Sequence, residues 1–141
     1  MAVVALLAAC GKDAPQLPET LTVSRVFVVL PAGESPAALY ATFTNPTIAV
    51  DTLRSVELAN ASVMLHGPMP DMASLEALPV ASGSTERLAP GGRHGMITGL
   101  GPHARGDSLS VRFHFAVAGT IAVKARVIAY ADVDTAAPPV R

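Results

Sequence analysis

From Leu21 onward the chain alternates short apolar runs with turn residues, and no stretch keeps a 3.6-residue apolar period over three turns. Runs rich in Val, Ile, Leu, Thr and Phe fall at Thr22–Leu30, Ala37–Asn45, Asp51–Leu58, Ser62–His66, residues 75–80, Ser84–Leu88, and residues 93–99, 108–116 and 120–130. Each predicts a strand. The breaks carry turn chemistry: Leu30-Pro31-Ala32-Gly33, Asn45-Pro46, Ala81-Ser82-Gly83, Pro90-Gly91-Gly92, Arg105-Gly106-Asp107 and Ala118-Gly119. Short strands at this spacing predict an all-β domain over residues 21–131, built as a Greek-key sandwich or barrel. There is no internal repeat and no second domain, and residues 132–141, ending Ala-Ala-Pro-Pro-Val-Arg, are expected to be a flexible tail.

Composition narrows the function. Of 141 residues, 50% are hydrophobic and 15% charged, which excludes disorder over the whole chain. Ten basic and eleven acidic residues give a net charge of −1, so no excess of positive charge exists to attract nucleic acid. No apolar run reaches the roughly 20 residues that span a bilayer. Aromatic residues are only 4%, so the core must be mostly aliphatic; Phe113 and Phe115 share one face of their strand, with Arg112 and His114 on the other. The single cysteine leaves no disulfide framework and no Cys-rich zinc site. No nucleophile–base pairing, Gly-rich phosphate loop or matched carboxylate pair points to an enzyme.

The lone Cys10 ends an apolar run, Met-Ala-Val-Val-Ala-Leu-Leu-Ala-Ala-Cys, followed at once by Gly11-Lys12-Asp13. This is similar to the end of a secretory signal, and Leu7-Ala8-Ala9-Cys10 resembles the bacterial lipobox, whose Cys is acylated on sulfur. The run is short and no Lys or Arg precedes it, as a start assigned too far downstream would leave it. On this reading residues 1–10 are a truncated leader, Cys10 is the lipid attachment point, and residues 11–20, with Pro15 and Pro18, are a tether. The domain would then sit on the periplasmic side of a bacterial envelope, touching the membrane only through its anchor.

Four of the five Met and two of the four His fall in two stretches, Met64-Leu65-His66-Gly67-Pro68-Met69-Pro70-Asp71-Met72 and His94-Gly95-Met96. Strand residues i and i+2 face the same way, so His94 and Met96 present an imidazole beside a thioether. His66 ends a strand, and the turn after it, which holds Met69 and Met72, is expected to bring a thioether near that imidazole. Thioether sulfur is soft and imidazole borderline; together, without thiolate or carboxylate, they suit Cu(I). A blue-copper centre is excluded, since it needs a Cys thiolate that this domain lacks. Met64, between Val63 and Leu65, is expected in the core, and His103 and His114 at the surface.

Met72, twenty-one residues, then His94-Gly95-Met96 resembles the motif of the periplasmic copper chaperones that supply the copper A centre of cytochrome c oxidase. Leu88-Ala89-Pro90-Gly91-Gly92-Arg93-His94-Gly95-Met96 is similar to that family's L-x-P-G-G-x-H-x-M block. Further likenesses are Ala37–Asn45 to its alanine-rich strand ending Thr-x-Asn, Asp51-Thr52-Leu53 to its D-x-L strand, and Gly106-Asp107 with Val111-Arg112-Phe113-His114-Phe115 to its final hairpin. One departure is the shorter spacer, with five residues between His66 and Met72. The resemblance implies a cupredoxin-like fold and His66, Met72, His94 and Met96 as Cu(I) ligands, with Met69 a possible extra. It also implies a monomer that passes copper to the copper A subunit or to a thioredoxin-like delivery protein. A metal-free interaction or adhesion module and a copper storage or resistance protein are the competing expectations.

Overall fold

The computed structural model describes residues 19–33 and 35–136. The leader with Cys10, the tether up to residue 18, and residues 137–141 of the expected tail lie outside the described residues. The described chain is almost entirely β. Its strands are β1 (Thr22–Leu30), β2 (Ala37–Asn45), β3 (Asp51–Leu58), β4 (Ser62–His66), β5 (Ser74–Leu75), β6 (Leu78–Val80), β7 (Ser84–Leu88), β8 (His94–Thr98), β9 (Ser108–Phe115) and β10 (Thr120–Ala129). They form one sheet in the order β5-β4-β8-β2-β1-β10-β9-β3-β6, with β7 also pairing β2. β1 and β10 run parallel; the other pairs are antiparallel.

The segment expected as one strand over residues 75–80 is two. β5 pairs β4 at one edge of the sheet and β6 pairs β3 at the other, with a bend at Glu76 between them. The chain thus crosses from edge to edge and curls the sheet into a nearly closed, cupredoxin-like barrel. β6 tolerates Pro79, which has no N–H to give, because it is an edge strand.

Alternation sorts the side chains. Phe43, Phe113, Leu39, Leu53, Val28 and Val127 point inward and are fully buried. Phe43 meets Phe113 and Phe115 edge-on, at centroid separations of 5.4 and 5.7 Å, and aliphatic residues fill the rest. Arg112 and His114 face outward, as expected, and both reach Glu57 across β3. His103 is a loop residue 3.5 Å from Asp107.

Two buried polar residues fasten the loops. Asn45 donates to the carbonyls of Ala49 (2.8 Å) and Val80 (2.9 Å) and accepts from Thr47, so every polar atom of its amide group has a partner. Asp51 accepts from the amides of Thr52, Val117 and Ala118 at 2.7–2.9 Å. Beyond residue 131 the chain continues as a helical turn, α1 (Val133–Ala136). Val133 is buried against Val29 and Ile128 on the outer face of the sheet, so the segment expected as a tail begins with packed structure.

Candidate metal centre

β4 and β8 are antiparallel neighbours whose register sets His66 opposite His94 and Met64 opposite Met96. Side chains directly opposite in such a ladder share a face. The four therefore form a two-by-two array on the outer face, while Leu65 and Ile97 point into the core. The two imidazoles stack, with centroids 5.8 Å apart and planes 17° from parallel.

Each ring is fixed by its own loop. His66 Nδ1 lies 2.8 Å from the carbonyl oxygen of Met72, and His94 Nδ1 lies 3.0 Å from that of Gly92. A carbonyl only accepts, so Nδ1 carries the proton in both rings and the neutral ring keeps a lone pair on Nε2. The Nε2 of His66 is buried and has no hydrogen-bond partner. A buried polar atom left without a partner is costly, and a metal ion would relieve that cost.

Both loops are held by their own backbone hydrogen bonds. Residues 67–73 close through Gly67 N–H to Ala73 O (2.8 Å) and Met72 N–H to Pro68 O (3.2 Å). Met72 takes a left-handed φ of 45°, a conformation that strains a side-chain-bearing residue. The Pro90-Gly91-Gly92 turn is clamped by Ala89 N–H to Arg93 O and Gly92 N–H to Ala89 O, which aims the Gly92 carbonyl at His94. Gly95 lets β8 lie close to β2: a Cβ there would stand 2.9 Å from the Cβ of Leu39.

Met69, Met72, His94 and Met96 line a common hollow of about 260 Å³, walled by Tyr40 and Pro36. Burial, and after it the neighbouring Tyr130, raises the Tyr40 phenol above its ordinary value, so the wall stays uncharged. His66 is not part of the lining and joins the group through its stack on His94. The expected residues are thus brought together, and the short spacer places both loop methionines at the hollow. Met64 is corrected: it is 53% exposed, because the inner positions of β4 belong to Val63 and Leu65. It adds a thioether beside Met96 that strand parity with His66 already encodes. Among the described residues no three His, Cys, Asp or Glu side chains form a group that could hold a metal ion, and the donors gathered at this face are imidazoles and thioethers.

The fold is that of the PCuAC domains. The copper-bound PCuAC domain from PmoF2 matches with a TM-score of 0.69 at 26% identity, over 78% of this chain and 93% of that one. The apo PCuAC domain from PmoF1 matches with a TM-score of 0.70 at 24% identity, over 78% and 94%. The Cu(I) form of DR1885 from Deinococcus radiodurans matches with a TM-score of 0.62 at 24% identity, over 85% of each chain. The last two likenesses are of fold alone. The chain belongs to the LpqE-like family, described as "Putative lipoprotein LpqE-like", whose model matches residues 21–127. No curated protein matches it.

Proposed function

We propose that this chain is an envelope copper carrier that binds Cu(I) through the Nε2 atoms of His66 and His94 and the thioethers of Met72 and Met96, with Met69 and Met64 within the same face. The observation that carries the reading is the buried, unpartnered Nε2 of His66 stacked beside His94, whose Nδ1 is likewise tied to a carbonyl. Neutral donors on an open face hold Cu(I) without a charge-compensating thiolate, so an acceptor that offers thiolates takes the ion by stepwise ligand exchange. Thioethers exposed at the surface, such as Met69 at 59%, give the acceptor a side from which to enter. The chain acts as a carrier, with no bond-making chemistry of its own. The copper A subunit of cytochrome c oxidase and a thioredoxin-like delivery protein are the acceptors we propose, and acylated Cys10 would hold the carrier at the membrane.

Anaerobic titration of Cu(I) against a chromogenic chelator tests the binding. A single near-stoichiometric site is expected, weakened at least about tenfold, or about 1.4 kcal/mol, in His94→Ala and in Met96→Ala. Absence of the site, or variants that bind like the parent, would sink the reading. Transfer to a soluble copper A domain separates a carrier from a store, which would retain the ion.

A further inference from the structure

The outer face that bears the candidate metal centre also bears a band of positive charge that copper binding does not use. Lys124 and Arg126 on β10, Arg25 on β1 and Arg87 on β7 are all exposed. The register puts them on that one face. Arg126 is opposite Phe27, Phe27 is opposite Tyr40, and Arg87 is opposite Thr42, while Arg25 projects from the bulge where β1 slips between Ser24 and Phe27. Leu39 pairs with Gly95, which sets Tyr40 beside His94. Tyr40 in turn lines both the metal hollow and an adjoining hollow edged by Arg25 and Arg87.

Among the described residues, none of these four cations has a carboxylate at ion-pair distance. Arg54 on β3 also lacks one, whereas Arg93, Arg105 and Arg112 pair with Glu86, Asp132 and Glu57. Phe27 and Tyr40, with the hydroxyls of Ser24 and Thr42, lie between the cations, and Ser110 stands beside Lys124 on the next strand. Glu86 borders Arg87 and Asp132 borders Arg126, but each is already paired, with Arg93 and with Arg105, so the band keeps its own positive field in a chain of net charge −1.

Ligand exchange requires an acceptor to press on the face where the thioethers lie, so whatever docks there meets the band as well. Resting on the copper-carrier reading, we propose that the band docks an acceptor protein whose metal-binding thiols are rimmed by carboxylates. It steers the encounter and fixes the orientation in which Met69 and Met96 meet the incoming ligands. An anionic bilayer laid on the same face would cover the donors that exchange needs open.

The test uses the full chain, its Arg25→Gln/Arg87→Gln/Lys124→Gln/Arg126→Gln variant, and a labelled peptide carrying a Cys pair flanked by Glu, or by Gln as control. With no copper present and at low salt, fluorescence anisotropy is expected to show the Glu peptide bound at least about tenfold tighter than the Gln peptide, a preference lost in the variant. With Cu(I) loaded, transfer to the Glu peptide slows about tenfold in the variant, while its affinity for Cu(I) against a chelator is unchanged. If the fourfold variant does not fold, Lys124→Gln/Arg126→Gln should remove part of the preference. A variant that binds the Glu peptide like the parent overturns the proposal. So does a parent that ignores the Glu peptide but cosediments with phosphatidylglycerol vesicles through these four residues, which assigns the band to a membrane. A parent that binds the Glu peptide yet takes up no Cu(I) contradicts the copper reading and leaves the docking face standing.

Discussion

Met72 bears on the candidate site in two ways: its side chain lines the hollow, and its carbonyl accepts the proton of His66 Nδ1. The second role needs a left-handed backbone that methionine adopts at a cost of about 1 kcal/mol and glycine adopts freely. Met72→Gly is therefore expected to keep or raise the thermal midpoint while weakening Cu(I) binding, read by calorimetry and chelator competition on the same preparation. A fall in both would mean that the side chain packs more than it ligates. Met64 is the residue that sequence hides best. Val63 and Leu65 beside it make an apolar run, and only its two-residue spacing from His66 shows that it faces out. Lying opposite Met96 and open to solvent, it is expected to contribute less than the lined thioethers. Met64→Leu should cost less than about tenfold in Cu(I) affinity and Met96→Leu more, in the same competition assay.

At the scale of elements, the site depends on how closely β8 lies on β2. A methyl group at Gly95 would collide with Leu39, which is fully buried and has nowhere to move. Gly95→Ala is expected to cost about 1–3 kcal/mol in denaturant unfolding and to weaken Cu(I) binding by displacing His94 and Met96 together. Asp51 governs acid stability. Burial alone would raise its carboxyl, but the amides of Val117, Ala118, Thr52 and Ala116 together hold it below the ordinary carboxylate range. A depressed folded value means that its contribution is complete above about pH 4 and is lost as pH falls through the folded value. Asp51→Asn should lose about 2 kcal/mol at neutral pH and show a flatter decline in acid, measured by urea midpoints across pH. Strands were the most legible elements: alternation and turn residues locate β1, β2, β3, β4 and β7 to the residue. The split at Glu76 was not legible, because Leu75 and residues 78–80 read as one apolar run and only the closing of the barrel divides them. The bulge at Arg25 was equally silent, since its positive φ falls on a residue with no preference for it.

At the scale of the whole molecule, the barrel aligns what is far apart in sequence. His94-x-Met96 was readable from strand periodicity, and the Met-rich turn from its Gly and Pro residues. The facing of His66 on His94 was not, because cross-strand register depends on how two distant segments pair. The same holds for the charged band: Arg25, Arg87, Lys124 and Arg126 are scattered along the chain and converge only through the order β7-β2-β1-β10. On the copper-carrier reading both imidazoles offer Nε2 to copper while Nδ1 stays protonated on a loop carbonyl. Long-range proton–nitrogen NMR of the histidine rings during anaerobic Cu(I) titration tests it directly. One equivalent is expected to shift the Nε2 resonances of His66 and His94, with the Met72 and Met96 methyl signals, and to leave His103 and His114 in place. Unmoved His66 and His94 rings, or binding through Nδ1, would contradict it.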